Sequence, residues 1–266
     1  MMRSSEMVLP ENLKALNLPT MMRSLETQLR QARQDGADYG DFLLGLTEIE
    51  LQARAENRLK RRLKEAKFPL LKTLETFDFD AAPDLDRRLI HELVGGAYIQ
   101  EHRNIILLGK SGTGKTHLAT ALGVEACRMG IRTRFVTGCG LANELIEARH
   151  ERELNRVIQR YGRYSLLVLD ELGYVPLSKE GADLLFQVLA ERHERRSVIV
   201  TTNLGFADWT QIFGDANLTA ALLDRLTHRA HIIQCTWESY RLRETLRVSR
   251  ETKPMKTQPG PTGPST

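Results

Sequence analysis

One eight-residue stretch limits what this chain can fold into more than any other. Gly109-Lys110-Ser111-Gly112-Thr113-Gly114-Lys115-Thr116 fits the pattern G-x-x-x-x-G-K-[ST]. Its glycines let the backbone curl until successive N–H groups point inward at one anion. Lys115 can then set its ammonium on the β- and γ-phosphates of a nucleotide, and Thr116 can offer a hydroxyl to Mg2+. The flanks suit that geometry. Ile105-Ile106-Leu107-Leu108 reads as a strand entering the loop, and His117-Leu118-Ala119 continues a helix away from it. The positive end of that helix faces the same anion. Residues 109–117 are therefore the candidate nucleotide contacts.

Downstream of Asn104 the chain supplies the sheet that such a loop needs. Apolar runs at 104–108, 132–136, 165–170, 197–202 and 231–235 read as strands, with helical stretches between them. Continuous apolar strands alternating with helices predict a buried parallel sheet covered on both faces. Upstream, the chain reads as helical. Leu13, Leu16 and Leu18 lead into Pro19-Thr20, a stop followed by an N-cap. Met21, Met22, Leu25 and Leu29 then recur at helical spacing. A longer helix is expected from about residue 38 to 67, ended by Pro69. Residues 77–83 read as a loop and 85–94 as a short helix. From Glu251 onward the chain holds four of its nine prolines, which reads as a tail. The expected division is a small helical domain at 1–75, an α/β domain at 76–250 and a Pro/Gly-rich tail at 251–266.

At 266 residues the chain can bury about three-quarters of its unfolded surface. It can therefore build a core without staples. Its longest apolar runs are four residues, against the roughly 20 that cross a bilayer. The opening residues lack the apolar stretch of a secretory signal. Three scattered cysteines are too few for a disulfide frame or a zinc site. Together these features predict a cytoplasmic, reduced protein with no membrane contact.

A second constellation completes the phosphate loop. Leu166-Leu167-Val168-Leu169 is a central strand from which Asp170 and Glu171 emerge. In open α/β sheets ligands bind at that C-terminal edge. Asp170 can hold Mg2+ directly or through water. Glu171 can orient and deprotonate an attacking water. Val198 to Asn203 is another strand with a polar exit. If it lies beside 165–170, Asn203 falls between the γ-phosphate and the water; otherwise it is a strand-to-loop exit. Arg225, in the helical stretch 221–229, is a candidate arginine finger, or else a surface ion-pair partner.

These pieces in this order resemble the AAA+ ATPases, with Walker A at 109–116, Walker B at 166–171, a sensor at Asn203 and a finger at Arg225. The chain from Leu13 to about Arg247 resembles the IstB-like ATPases of bacterial insertion sequences, relatives of the DnaC helicase loaders. The phrases GKSGTGKTHLATALG, LLVLDELGYVPL, VIVTTNLGFADW and LLDRLTHRAHII carry the likeness. It implies an AAA+ fold of five parallel strands between helices behind a helical N-terminal domain. It also implies a transposition helper that binds ATP, assembles with itself on DNA and directs a partner transposase. One departure is expected. About thirty residues follow the last strand, too few for a full helical lid, and leave Arg241 as the candidate second sensor.

Two basic clusters are candidates for DNA. Arg54 to Lys67 holds seven basic residues against two acidic, among them Arg58, Arg61 and Arg62. Arg149, Arg152, Arg156, Arg160 and Arg163 are spaced to share one face of a helix. Such a track can neutralise successive phosphates without reading sequence. Each could instead be a solvated face, and the first could grip the transposase. Aromatic residues are 6% of the chain, which argues against single-strand stacking and favours duplex DNA. Other readings are a helicase loader on the same motor, a P-loop kinase acting on a metabolite, and a DNA-binding protein with vestigial ATP binding. His228 and His231 read as structural.

Overall fold

A computed structural model of the chain describes residues 4–240 and Arg243. The chain divides into two compact units, Met1–Glu65 and Ala66–Thr266. The division falls ten residues before the expected one. Residues 66–77 belong to the second unit because they pack on its P-loop helix: a Cβ on Gly123 would meet the Phe68 ring at 2.9 Å, and Phe68 meets Phe135 edge-on at 6.0 Å.

The first unit holds α1 (Ser4–Ala15), α2 (Pro19–Asp35) and α3 (Tyr39–Ala66), the last ending at the division. Leu13, Met21, Leu25 and Leu46 form its core. Thr20 is not the cap of α2. The residue before that helix is Leu18, which has no polar side chain to offer as a cap, and Pro19 opens the first turn. Glu50 of α3 does the capping instead. Its carboxylate accepts from the Thr20 and Met21 N–H groups at 2.8 and 3.0 Å and from Arg54 Nε at 2.8 Å. A carboxylate on those orphan donors also suits the positive end of the helix.

The second unit begins with α4 (Arg87–Val94) and α5 (Ala97–Gln100), then alternates β1 (Ile105–Gly109), α6 (Lys115–Arg128), β2 (Thr133–Thr137), α7 (Gly138–His150), α8 (Leu154–Gly162), β3 (Leu166–Leu172), α9 (Lys179–Arg192), β4 (Ser197–Thr202), α10 (Thr210–Phe213), α11 (Ala216–Thr227) and β5 (His231–Cys235). The five strands form one parallel sheet in the order β2-β3-β4-β1-β5. Neighbouring side chains of a strand enter opposite layers. Ile105, Leu107, Leu166 and Val168 join α4–α6 on one face, while Ile106, Leu167 and Leu169 join α7–α11 on the other. Both faces of these strands are buried, which is why the strands read as unbroken apolar runs.

Residues 149–163 do not form one helix. α7 stops at His150, and Arg152 takes the left-handed φ of 61°. The Glu153 N–H returns to the Ala148 carbonyl at 2.7 Å, the six-to-one bond of a Schellman ending. A new helix, α8, then starts at Leu154. The tail expected from 251, the lid and Arg241 lie outside the described residues. No described helix is long and apolar enough to cross a membrane.

Candidate nucleotide site

The strand order sets the site. β4 lies between β1, which feeds the phosphate loop, and β3, which carries the acidic pair. Polar residues at the end of β4 therefore stand between loop and carboxylates, so the neighbour condition set for Asn203 is met. A cleft of about 720 Å3 opens along this edge. It is lined by Ser111 to His117, Thr137, Asp170, Glu171, Thr201, Thr202, Asn203, Trp237 and Tyr240, and by a wall from Pro69 to Ala81.

The loop needs glycine for room as well as for conformation. Gly112 and Gly114 sit at φ +82° and +87°. A Cβ would lie 2.0 Å from the Ser239 hydroxyl in the first case and 2.9 Å from the Phe77 ring in the second. Lys115 is buried, and its ammonium donates to the Gly109 and Lys110 carbonyls at 2.6 and 2.7 Å, so it sits within the curl of the loop. Gly114 caps α6, and the helix axis starts at the loop.

Across the cleft Thr116 Oγ1 donates to both Asp170 oxygens, at 3.0 and 3.1 Å. Thr201 Oγ1 donates to Asp170 Oδ1 at 2.5 Å and accepts from the Glu171 N–H at 2.9 Å. Here the β3–β4 register slips between Leu169 and Leu172, and Glu171 takes a left-handed φ of 55°. The slip exposes the Glu171 side chain at the cleft while Asp170 stays buried. Strain of this sort collects where a side chain must be aimed.

His117 also lines the cleft, but its ring is engaged elsewhere. Nε2 lies 2.8 Å from the Thr73 carbonyl and 3.3 Å from Thr76 Oγ1, and the ring meets Phe77 edge-on at 5.2 Å. Burial lowers its pKa; the Thr73 carbonyl works against that and the Lys72 charge adds to it. His117 thus ties the 73–77 wall to the loop helix. Arg225 does not line the cleft. Its guanidinium lies over the Phe186 ring of α9 at 5.0 Å and reaches the Ala221 carbonyl at 3.3 Å.

Several contributors escaped the sequence reading. Thr201 looked like one more strand residue; a threonine two positions before the strand's polar exit was the only signal. Phe77 and Asp78 lie in what read as a plain loop. Trp237 is buried in the layer of α4–α6, and its indole N–H also donates to the Thr113 carbonyl at 2.9 Å.

The basic clusters are partly committed to ion pairs. Arg149 pairs with Glu180 at 3.5 Å, Arg156 with Glu153 at 3.2 Å and Arg160 with Glu144. The Arg156 side chain remains 83% exposed, and Arg152 and Arg163 are exposed. In the first unit Arg58 and Arg61 are exposed, whereas Arg62 pairs with Glu65 at 3.1 Å.

The family model for IstB-like ATP binding proteins matches residues 11–248. An insertion sequence IS21 putative ATP-binding protein of Pseudomonas aeruginosa is 41% identical over 91% of both chains. The IS5376 putative ATP-binding protein of Geobacillus stearothermophilus is 39% identical over 86% of this chain and 91% of its own. Among solved structures, AMPPCP-bound DnaA of Aquifex aeolicus superposes with a TM-score of 0.50 at 21% identity, covering 69% of this chain and 56% of that one. DnaI superposes with a TM-score of 0.52 at 20% identity, covering 61% and 90%. These structural likenesses establish the fold.

Proposed function

Because this chain belongs to the IstB-like ATP binding protein family, we propose that it binds ATP in the cleft and hydrolyses it to ADP and phosphate as a helper of transposition. Copies of the chain assemble on duplex DNA, largely without regard to sequence, and bring a partner transposase to its target in the cytoplasm. The family match spans both units, residues 11–248, which favours this reading over a motor borrowed for helicase loading.

One observation carries the chemistry. The Thr116 hydroxyl and the Asp170 carboxylate, 54 positions apart, meet in the cleft that Lys115 also lines. Hydroxyl and carboxylate are hard oxygen donors, a fitting pair for Mg2+. Mg2+ bound there would draw off charge that builds on the phosphates. The chain's residues do the rest. The loop N–H groups and Lys115 hold the phosphates in line. Glu171, at the cleft surface, takes the proton of the attacking water, and Asn203 orients that water or the γ-phosphate. Arg225, turned onto α9, serves the cleft of a neighbouring copy, where it stabilises transition-state charge. Hydrolysis then acts as a timer for disassembly.

Sedimentation of the full chain with ATP, ADP or neither, with and without duplex DNA, tests the reading. A large species requiring both ATP and DNA is expected, and Glu171→Gln should trap it while leaving ATP binding intact. A monomer under every condition would overturn the assembly and move small-molecule phosphorylation to the front.

A further inference from the structure

We propose that His193, Glu194 and His228 form a binding site for a divalent transition metal, zinc being the ion that fits, which clips the end of α9 to the end of α11. His193 follows the last turn of α9 and His228 the last turn of α11. Each residue offers one ligand atom, and the three atoms lie within 4.8 Å of one another. The two imidazoles lie 5.7 Å apart between centroids with their planes tilted by 59°. His228 Nδ1 stands 3.8 Å from Glu194 Oε1. That is too long for a hydrogen bond, yet close to the roughly 3.4 Å edge of a tetrahedron whose metal bonds are about 2.1 Å.

The protonation pattern fits as well. His193 Nδ1 lies 3.2 Å from the Arg225 carbonyl oxygen. A carbonyl can only accept, so Nδ1 carries the proton and Nε2 keeps a lone pair. Metal-binding histidines are usually held this way. Two imidazoles and a carboxylate are a donor set that zinc takes with water in the fourth position. Glu194 also lines a second cleft of about 420 Å3. The His228 and Glu194 side chains are 49% and 67% exposed, so an ion reaches them from solution without unfolding. Bound metal would stiffen the end of α11 whatever Arg225 does there. The site was invisible in the sequence because His193 and Glu194 lie far from His228 along the chain and only folding brings the three together.

Cobalt(II) titration of the chelator-treated full chain tests this. One ion per chain is expected, with the intense visible bands of a tetrahedral site, bleached by zinc and accompanied by a higher melting temperature. His228→Asn and His193→Ala should each weaken binding by about 100-fold, and Glu194→Gln by about 10-fold. Melting curves without metal show whether the variants fold; Glu194→Gln, altering an exposed side chain, keeps the test valid if His193→Ala does not. Equal binding by wild type and all variants, or only the pale spectrum of a hydrated ion, would overturn the site. So would thiolate bands, which would assign the metal to cysteine.

Discussion

Thr201 is the residue on which the candidate chemistry turns, although it need touch neither phosphate nor water. Its hydroxyl fixes the Asp170 carboxylate through one bond and the backbone of Glu171 through another. Thr201→Val keeps the shape and removes both bonds. Glu171, already at φ 55°, is then free to relax into a commoner conformation. ATPase turnover should fall by about 10- to 100-fold, with ATP affinity nearly unchanged, and Thr201→Ser should restore most of it. Steady-state kinetics beside equilibrium binding of a fluorescent nucleotide would check this; an equal loss in both would mean that Thr201 only supports the fold. A second residue-scale case is Cys235, whose thiol burial raises to about 11 despite the nearby Lys115 charge and a bond involving Thr113. It remains a neutral thiol beneath the loop.

Among elements, α2 depends on a side chain from another helix. Burial tends to raise the pKa of Glu50, but the Arg54 guanidinium and the Met21 and Thr20 N–H groups outweigh it and hold the pKa below the usual carboxylate value. A depressed carboxylate contributes stability that is present above its unfolded pKa and is lost as pH falls through the folded one. Glu50→Gln should therefore cost about 1 kcal/mol at neutral pH and flatten the acid limb of the melting profile, measured on the full chain by helical signal against pH. The contrast with Thr20 explains what was legible in the sequence. The strands of the sheet, the phosphate loop and Asp170 were all readable because their signals are local: apolar runs, a fixed spacing and a strand end. The Glu50 cap, the Thr73–His117 tie, the register slip at Glu171 and the break at Arg152 were not readable. Each depends on a partner brought close by folding, or on a backbone angle that the side chain does not favour. Arg152 illustrates the second kind. Nothing in its type asks for a left-handed turn, yet spacing alone placed it inside one long helix.

At the scale of the whole molecule, the broken arginine track changes how DNA contact should be tested. Arg160 is tied to Glu144 and stacks on Tyr161 at 5.3 Å, so removing it would disturb packing as well as charge. Arg152, Arg156 and Arg163 disturb packing least, Arg156 giving up only its exposed ion pair with Glu153. If they neutralise phosphates, replacing all three with alanine should lower the slope of log affinity against log salt by roughly 0.9 per lost contact. Fluorescence anisotropy on a duplex across salt concentrations would measure it, and an unchanged slope would move the contact to Arg58 and Arg61 of the first unit. The two tryptophans have a further consequence. Trp209 is fully buried in the layer of α7–α11, away from the cleft, whereas the indole of Trp237 is bonded to the loop that would cradle the phosphates. With Trp209 changed to Phe, the single remaining tryptophan would sit against the phosphate loop, and the chain would carry its own optical reporter of nucleotide loading, with no dye attached.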